Sequence, residues 1–509
     1  MTGRVIVVGA GPTGVAVATL LASYGVEVLV LERWAEVYSQ PRAVHLDDEV
    51  YRILGWVGVA REFARISRPT LGLRLVDGQH RTIAEFRRHE RTGRHGYPEA
   101  NLFDQPDLEV LLRANLANCP SVTFQSDVEV TAVRQLTADA VQVDLHDRTT
   151  GQVETLTASY VLGCDGANSL VRRAIGARFR DLGFDQRWLV VDLDIDQELG
   201  HWDGVHQLCD TGRAATYLRV GARRHRWEFR LADDEDQEDF RTPGALRSII
   251  GPWLRAADDD RIDIVRVASY TFRAQVADRW RDRRIFLLGD AAHLTPPFIG
   301  QGLGAGMRDA ANLSWKLAGV LDARLPEQVL DTYQQERRPH AIHMIRLAKA
   351  VGAIMTNGGR TGDVLRRLIA PRLSLVPGLA ARVLSSETPR LTRTGLVRRS
   401  RWSGGVVGTL CANAPVGIEQ RLDDHAAGRF ALLTTQHLTA FQRAEAVALG
   451  VVVLETKPRD RLHHWLTQGR RTSALIRPDS IVMLAADTVD DVLLAASAVI
   501  RRRRLVAVP

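Results

Sequence analysis

The first 31 residues contain two apolar runs separated by an alanine-rich segment. Residues 4–9 (RVIVVG) form a short β-branched run, which is typical of a strand buried on both faces. Residues 15–24 are apolar and rich in alanine, which predicts a helix that ends at Gly25. Residues 26–31 (VEVLVL) predict a second strand. The predicted order is strand, helix, strand, the unit from which parallel sheets are built.

Three glycines occupy the turn between the first strand and the helix. Gly9, Gly11 and Gly14 are spaced as G-x-G-x-x-G. The first allows a tight turn, the second lets the backbone approach a pyrophosphate, and the third lets helix and strand pack closely. Glu32 follows the second strand, 18 residues after Gly14. A carboxylate that binds ribose hydroxyls is expected about 20 residues after this turn. The pattern predicts a dinucleotide site, whose turn also contains Pro12 and Thr13.

Two later apolar strands each end in an aspartate. Residues 160–164 lead into Asp165-Gly166, and residues 283–289 lead into Asp290. Glycines then recur in residues 300–306 (GQGLGAG), which open an apolar helix with a positive N-terminal pole. Each aspartate–glycine pair by itself is typical of a turn. Strand-end carboxylates that meet a ligand are the alternative.

In this order and spacing, the three motifs resemble the FAD-dependent aromatic hydroxylases, which are single-component flavoprotein monooxygenases. Residues 41–44 (PRAV), Gln105 before residues 108–112, and residues 333–339 (YQQERRP) also match that family. Residues 42–49 and 300–313 most resemble its 3-(3-hydroxyphenyl)propionate and polyketide hydroxylase branch. The resemblance implies hydroxylation of a phenolic or polyketide-type ring through a flavin C4a-hydroperoxide, with FAD as cofactor and with NADPH or NADH and O2 as co-substrates.

Two other functions remain open on the sequence. The same flavin chemistry serves Baeyer–Villiger insertion and epoxidation, because the pocket decides the outcome. A flavin-binding partner protein without turnover is the alternative of another class.

The resemblance also implies roles for individual residues. Glu32 would hold the adenosine ribose, and Arg33 would lie near the adenine. Arg42 and Gln105 would contact the pyrophosphate and ribityl chain, and Asp290 would bind the ribityl hydroxyls. Asp165 would serve both FAD and the nicotinamide cofactor. The segment against the flavin pyrimidine ring would include Pro297, Gly300, Gly302, Leu303 and Gly304. Many relatives have asparagine where this chain has Gly304, so no side-chain contact to the flavin is expected from that position.

His45 is the candidate for a base near the phenol, because it follows the Arg42 segment and imidazole is suited to proton transfer. A hydrogen-bonded packing histidine is the alternative, and the reaction can also proceed without a base. His293 belongs to a pattern of the family that is interpreted as structural.

The middle of the chain alternates apolar and polar residues over 188–195, 215–220 and 226–231, which predicts a sheet-rich substrate domain. Its aromatic residues line a substrate pocket or pack in a core. The candidates for the pocket are Tyr217, Phe229, Phe272 and Phe298.

The predicted fold class is α/β with an α+β insert. A Rossmann-like FAD-binding domain (1–180 and 276–389, the latter with a helical segment) is interleaved with a β-rich substrate domain (181–275). A linker (390–405) leads to a C-terminal domain (406–509) that resembles the thioredoxin-like domain of several such hydroxylases. Cys411 is the only cysteine of that domain, so dithiol redox work is excluded and the domain is expected to pack or to form a homodimer.

Composition restricts the remaining classes. The chain of 509 residues is 45% hydrophobic and 25% charged, with a net charge of +7, as in a globular protein without concentrated basic charge for nucleic acid. Residues 5–26 carry no charge and are long enough for a membrane helix or a signal peptide. Gly9, Gly11, Pro12 and Gly14 interrupt this run, so neither is expected. Four widely spaced cysteines indicate neither a metal site nor disulfides, and a cytoplasmic location is expected.

Overall fold

The computed structural model describes residues 4–39, 42–88, 92–210, 212–221, 223–254, 262–356, 388–399, 405–417 and 420–501. Pro41, most of the predicted helical segment after residue 356 and residues 400–404 of the predicted linker lie outside these ranges. The strands are β1 Val5–Val8, β2 Val28–Leu31, β3 His45–Asp47, β4 Ser67–Pro69, β5 Gly72–Val76, β6 Thr82–Arg87, β7 Ala100–Phe103, β8 Val122–Gln125, β9 Val128–Gln135, β10 Val141–Asp147, β11 Val153–Ala158, β12 Tyr160–Gly163, β13 Phe179–Ile195, β14 Val205–Leu208, β15 Ala215–Arg219, β16 Arg224–Arg230, β17 Ile262–Ala277, β18 Arg281–Asp282, β19 Ile285–Leu287, β20 His293–Leu294, β21 Pro415–Val416, β22 Gln420–Arg421, β23 Ala431–Thr434, β24 Val452–Glu455, β25 Ser473–Ile476 and β26 Val482–Ala486.

The helices, in chain order, are α1 Pro12–Ser23, α2 Asp48–Val57, α3 Ala60–Ile66, α4 Gln105–Leu116, α5 Leu170–Ala174, α6 Pro243–Leu254, α7 Gly302–Leu321, α8 Asp331–Thr356, α9 Leu422–Ala426, α10 Ala440–Leu449, α11 Arg461–Gln468 and α12 Val489–Ser497. Short 3-10 turns include Gln237–Phe240, Gly289–Ala291 and Pro297–Ile299. Among the described helices, none combines the length and the apolar character needed to cross a membrane.

A six-stranded sheet carries the glycine turn. Its order is β18-β19-β12-β1-β2-β8, and β1 pairs in parallel with both β2 and β12. All four residues of β1 are buried, as expected for a central strand of a sheet that is covered on both faces. The predicted strand, helix and strand at the N-terminus are confirmed as β1, α1 and β2. The carboxyl ends of β1, β2, β12 and β19 therefore lie at one edge of the sheet.

An eight-stranded sheet forms the second layer, in the order β20-β17-β13-β16-β15-β14-β5-β6. The strands predicted over residues 188–195, 215–220 and 226–231 are confirmed within β13, β15 and β16. The hairpin β5–β6 joins this sheet because β5 pairs in parallel with β14. This hairpin falls within the range 1–180 predicted for the FAD-binding domain, so that range also supplies two strands to the second sheet.

The two faces of the eight-stranded sheet have different surroundings. On one face, Leu189, Val191 and Trp227 pack with Ile250 and Trp253 of α6 in one hydrophobic core. We call this side the α6 face. Side chains alternate along each strand, so the residues between these positions lie on the opposite side, which we call the polar face. It carries charged pairs such as Asp192 with Arg226.

The C-terminal part contains a four-stranded sheet in the order β24-β23-β25-β26, with β23 and β24 parallel and the other pairs antiparallel. Residues 473–486 of this sheet form two strands, β25 and β26, with a turn between them. Pro478 cannot continue a ladder, and Ser480 has a left-handed φ of 58°, so the chain turns back at this point.

Buried charges join this C-terminal sheet to helices α7 and α8. Glu336 accepts hydrogen bonds from Lys316 Nζ (2.8 Å), Asn312 Nδ2 (2.9 Å) and Arg477 Nη1 (3.0 Å). Arg477 also forms an ion pair with Asp479. Because α7 begins at the glycine-rich segment, these contacts hold the far end of the helix that starts there.

Candidate cofactor and substrate site

The glycine turn after β1 leaves open space beside the backbone of Gly11. Gly9 has a left-handed φ of 99°, and a methyl group there would lie 2.5 Å from the carbonyl oxygen of Cys164. A methyl group at Gly14 would overlap the carbonyl oxygen of Gly9. At Gly11, by contrast, no atom lies within 4 Å of the position that a methyl group would take. The turn is therefore closed on the protein side and open where a pyrophosphate would approach the N-terminus of α1.

Glu32 at the end of β2 ties this turn to the next strand. Its carboxylate accepts hydrogen bonds from the backbone N–H groups of Ala10 (2.7 Å) and Trp34 (3.1 Å). The residue is only 8% exposed. The free lone pairs of a carboxylate held in this way can still accept hydrogen bonds from ribose hydroxyls. Arg33 is exposed beside it, with its guanidinium 5.1 Å from the ring centre of Trp34.

Arg42 and Gln105 lie on the same side of the site. Gln105 at the start of α4 accepts a hydrogen bond from Ala43 N (2.5 Å) and donates to Glu109 (2.6 Å). The Arg42 guanidinium is exposed and lies 4.7 Å from the ring centre of Tyr38. Gln105 thus orders the segment that carries Arg42.

Asp165 has both carboxylate oxygens engaged in local structure. It accepts hydrogen bonds from Ser169 Oγ (2.5 Å) and from the backbone N–H groups of Leu170 (2.6 Å) and Val171 (3.1 Å). These bonds satisfy the N-terminus of α5. Asp165 therefore shapes the loop beside Gly9 through its backbone, since its carboxylate is directed into its own helix.

Asp290 lies in the turn after β19, beside the glycine turn. Its side chain is exposed and makes no hydrogen bond to any residue that the structure describes. The protein that surrounds this position nevertheless desolvates the carboxyl and raises its pKa. A carboxylate acceptor that is open to solvent beside the glycine turn fits a ligand with hydroxyl donors.

Asp309 on α7 supports this turn and is a residue that sequence reasoning missed. It accepts hydrogen bonds from Gly289 N (3.0 Å), His293 Nε2 (2.8 Å) and Arg337 Nε (2.8 Å). It is fully buried. This bond to His293 agrees with the structural interpretation of that histidine. A charged pair of residues in the first turns of an apolar helix, Arg308 and Asp309, was the available signal.

The helix α7 begins at Gly302 and has no side chain among the described residues that caps its first turn. The free N–H groups and the helix dipole make this end a site for negative charge. Gly304 faces inward, because a methyl group there would lie 3.0 Å from Val50 of α2. Leu303 packs partly on the main core. An asparagine at Gly304 would therefore need its neighbours to move.

A buried ion-pair cluster fixes the approach to this helix. Asp47 accepts hydrogen bonds from Val50 N (2.9 Å), Gln301 Nε2 (2.8 Å) and Arg308 Nη2 (2.5 Å). Arg308 Nε lies 2.8 Å from Glu49. The carboxylates of β3 and α2 are thus joined to the start of α7, a link that the sequence alone does not show.

His45 lies beneath the loop that precedes α7. Gly300 in this loop has a left-handed φ of 61°, and a methyl group there would lie 2.8 Å from His45 Nδ1. Burial, with the nearby charge of Arg88, lowers the pKa of His45 to about 4. The imidazole is therefore neutral and weakly basic at neutral pH, which favours a packing role over that of a base.

The four candidate aromatic residues separate into two groups. Tyr217 and Phe229 are buried on the α6 face, and the Tyr217 hydroxyl is hydrogen-bonded to His225 Nδ1 (3.0 Å). Their expected place in the substrate pocket is corrected, because strand alternation turns them away from the glycine-rich loop. Phe272 stacks at 6.2 Å on Tyr270 along the polar side of β17. Phe298 lies in the loop itself, between Pro297 and Gly300.

Phe298 connects this loop to the eight-stranded sheet. Its ring centre is 5.7 Å from that of Trp188 and 5.6 Å from that of Phe184. At another point, Arg226 Nη1 of β16 donates to the carbonyl oxygen of Arg42 (2.8 Å). The polar face therefore meets the cofactor side of the molecule at the Arg42 segment and at the Phe298 loop. We call the space between these two junctions the cleft.

Comparisons with known proteins agree with this geometry. The family described as "FAD binding domain" matches residues 2–348. A 3-(3-hydroxy-phenyl)propionate/3-hydroxycinnamic acid hydroxylase of Burkholderia vietnamiensis is 35% identical over 462 residues, which cover 88% of this chain and 82% of the relative. A probable NADH-specific resorcinol 4-hydroxylase of Rhodococcus jostii is 37% identical over 352 residues, which cover 69% of this chain and 65% of the relative.

Solved structures extend the likeness over almost the whole chain. The crystal structure of aklavinone-11 hydroxylase with FAD and aklavinone is 25% identical, with a TM-score of 0.79, and 98% of this chain and 99% of that chain are covered. The chain belongs to the FAD-binding-domain family. It is a flavoprotein monooxygenase of the aromatic hydroxylase type, and its cofactor is FAD.

Proposed function

We propose that this protein hydroxylates a phenolic or polyketide-type aromatic ring, with NADPH or NADH as hydride donor and O2 as oxygen source. The observation that carries the proposal is the cleft, which has the open glycine turn and Asp290 on one side and partly exposed aromatic side chains on the other. The relatives named above are described as a hydroxylase of 3-(3-hydroxy-phenyl)propionate and 3-hydroxycinnamic acid and as a probable hydroxylase of resorcinol. A structural neighbour was solved with aklavinone.

The residues of this site fit FAD. The turn from Gly9 to Gly14 would receive the pyrophosphate, Glu32 the adenosine ribose and Asp290 the ribityl hydroxyls. The start of α7 would face the flavin pyrimidine ring with free N–H groups. Bound FAD supplies the redox chemistry, since it accepts a hydride and activates O2. The buried pair of Asp47 and Arg308 links α7 to β3, which would fix the orientation of the helix start towards a bound cofactor.

The cleft would hold the aromatic substrate. Phe298, Tyr270 and Phe272 are partly exposed and would offer flat apolar surfaces there, and aromatic rings pack on such surfaces at offset or edge-to-face angles. Closure of this space by the eight-stranded sheet would exclude water from the reacting atoms. The charged groups of the polar face provide the few polar contacts that orient a phenol.

The first experiment is the visible spectrum of the purified protein, followed by NADPH and NADH oxidation under air with a panel of phenols. The panel contains 3-(3-hydroxyphenyl)propionate, resorcinol and a polycyclic phenol. We expect a flavin spectrum, oxidation that is stimulated by a phenol, and a product heavier by one oxygen atom. Oxidation without any oxygenated product from the whole panel would contradict hydroxylation. A lactone or an epoxide as product would support the Baeyer–Villiger or epoxidising alternative instead.

We also propose a thioredoxin-like arrangement for the C-terminal domain, residues 406–509. In support, β23, α10 and β24 form a parallel β-α-β unit, and the antiparallel strands β25 and β26 follow before α12. Cys411 is buried and unpaired by any disulfide, and burial raises the pKa of its thiol to about 12. A protonated, buried thiol suits a packing role rather than redox exchange.

A further inference from the structure

An acidic side chain of the eight-stranded sheet faces the cleft. Glu228 lies on β16, whose residues Trp227 and Phe229 are buried on the α6 face. Because side chains alternate along a strand, Glu228 and Arg226 both lie on the polar face. Arg226 Nη1 lies 3.8 Å from Glu228 Oε1, which agrees with this placement.

The strand register places Glu228 between the two junctions of the cleft. Asp192 pairs with Arg226, Val190 with Glu228 and Trp188 with Arg230. In the first of these cross-strand pairs, Arg226 donates a hydrogen bond to the Arg42 carbonyl oxygen. In the last pair, the ring of Trp188 contacts that of Phe298. The pair of Val190 and Glu228 lies between these two pairs, opposite the space where an aromatic ring would bind.

The neighbouring charges leave the Glu228 carboxylate available. Arg226 donates from Nε (2.7 Å) and Nη2 (2.9 Å) to Asp192, so its main partner is that aspartate. Among the described residues, none donates a hydrogen bond to Glu228, although its side chain is only 15% exposed. A buried carboxylate without a donor is costly, and it is satisfied when a ligand brings one.

The surroundings also make this carboxyl a stronger base than an ordinary glutamate. Burial raises the pKa of Glu228, and the negative charge of Asp192 adds to this effect. The positive charges of Arg226 and Arg266 oppose it without cancelling it. These are the charged groups that face Glu228 from β13, β16 and β17.

We propose that Glu228 is a catalytic residue that binds the phenolic hydroxyl of the substrate and takes up its proton during oxygen transfer. The proton passes from the phenol oxygen to a carboxylate oxygen of Glu228, and the O–H electron pair stays on the phenol oxygen. The resulting negative charge enriches the ortho and para carbons of the ring, where an electrophilic oxygen is accepted. This inference rests on the proposed function, because it requires a phenolic substrate in the cleft.

The test compares Glu228→Gln with Glu85→Gln. Glu85 lies on β6 at the far edge of the same sheet, where it pairs with Arg74 (2.6 Å). The assay uses whichever phenol of the panel gives the highest rate with the native protein. We expect Glu228→Gln to lower kcat roughly 100-fold or more, as for loss of a general base, with a smaller change in KM. The native acid limb of kcat against pH should disappear in this variant. Glu85→Gln should keep the native kcat and the acid limb of its pH profile.

Three outcomes distinguish a failure of the role of Glu228 from a failure of the proposed hydroxylase function. A native-like kcat and acid limb in Glu228→Gln would overturn the role of Glu228 while hydroxylation stands. If no phenol stimulates oxidation by the native protein, the proposed function fails first and the role of Glu228 falls with it. If Glu228→Gln loses its flavin, Glu228→Asp replaces it. Partial activity with a shifted acid limb would then support the role, and an unshifted limb would overturn it.

Discussion

Arg52 of α2 and Asp423 of α9 form a buried two-pronged ion pair, although 371 residues separate them in sequence. Arg52 donates from Nε to Asp423 Oδ2 (2.6 Å) and from Nη2 to Oδ1 (2.5 Å). Its Nη1 donates to the carbonyl oxygen of Cys411 (2.6 Å), and Trp56 Nε1 also donates to Asp423 (2.8 Å). The C-terminal part is thus fastened to the helix that starts at the buried cluster of Asp47.

Replacement of Asp423 by asparagine should destabilise the protein strongly. The variant leaves the charge of Arg52, which is fully buried, without its partner, and such a loss typically costs about 3–5 kcal/mol. Denaturant unfolding measures the change. The control is Asp487→Asn, because Asp487 pairs with Arg471 at the surface and should lose little. Equal losses in the two variants would contradict the importance of the buried pair.

Gly11→Ala should weaken FAD binding without harming the apoprotein. No protein atom lies within 4 Å of the added methyl group, so any loss comes from crowding of the pyrophosphate. A steric cost of about 1–3 kcal/mol corresponds to roughly 5- to 150-fold in the dissociation constant. FAD titration of the apoprotein measures it. Gly244→Ala, which also meets no atom within 4 Å, is the matched control. Full FAD retention by Gly11→Ala would remove this turn from the site.

Asp290→Ala should also weaken FAD binding, because it removes the carboxylate that we propose as acceptor for the ribityl hydroxyls. Hydrogen bonds to a charged group contribute about 1.5–3 kcal/mol, or roughly 10- to 150-fold in affinity. Asp290→Asn keeps an acceptor and should fall between the alanine variant and the native protein. The same FAD titration applies. An unchanged dissociation constant for Asp290→Ala would exclude this contact.

Glu336→Gln should change the acid unfolding of the protein. Burial alone would raise the pKa of Glu336, but Arg477 and Lys316 outweigh it and lower this pKa to about 2, against an ordinary 4.5. The unfolded chain therefore binds the proton more readily, and the stabilisation present above pH 4.5 is lost as the pH falls towards 2. The variant should be less stable than the native protein at neutral pH. Its free energy of unfolding should also fall less between pH 4.5 and 2. Glu154→Gln, an exposed residue of β11, is the control. Parallel stability–pH curves for Glu336→Gln and the native protein would refute this.

His45→Gln tests whether this histidine is a base. Because the pKa of His45 is lowered to about 4, the ring should not titrate between about pH 5 and 8, where an ordinary histidine does. We expect the variant to keep the shape of the kcat profile over this range and to bind FAD more weakly, since the Gly300 loop loses its support. Loss of a native limb near pH 6–7 would instead assign proton transfer to His45.

The sequence predicted the local architecture of the cofactor site well, because it depends on neighbouring residues. The strand–helix–strand unit, the glycine turn and the position of Glu32 after β2 all follow from short-range spacing and apolar pattern. The helix at the glycine-rich segment is likewise confirmed as α7. Contacts such as Asp309 with Gly289 were not predicted, since their partners come from separate elements.

The face of the eight-stranded sheet that lines the cleft could not be predicted from the sequence pattern. The register of β15 with β16 places Tyr217 and Phe229 on one face, but the alternation in the sequence does not show whether this face meets the cleft or α6. The alternating pattern of residues 188–231 likewise does not show that the hairpin β5–β6, which is much earlier in the chain, joins the eight-stranded sheet through pairing of β5 with β14.

The sequence by itself determined the β-α-β cofactor unit, because glycine spacing and buried strands impose local geometry, and the resemblance of its motifs to a known family indicated FAD. Only the tertiary structure decided which carboxylates accept hydrogen bonds from the protein and which do not. Asp165 is taken up by its own helix and Asp47 by Arg308, whereas Asp290 and Glu228 have no donor among the described residues. Partner choice depends on how distant elements pack, and an aspartate or glutamate looks the same in sequence whichever partner it finds.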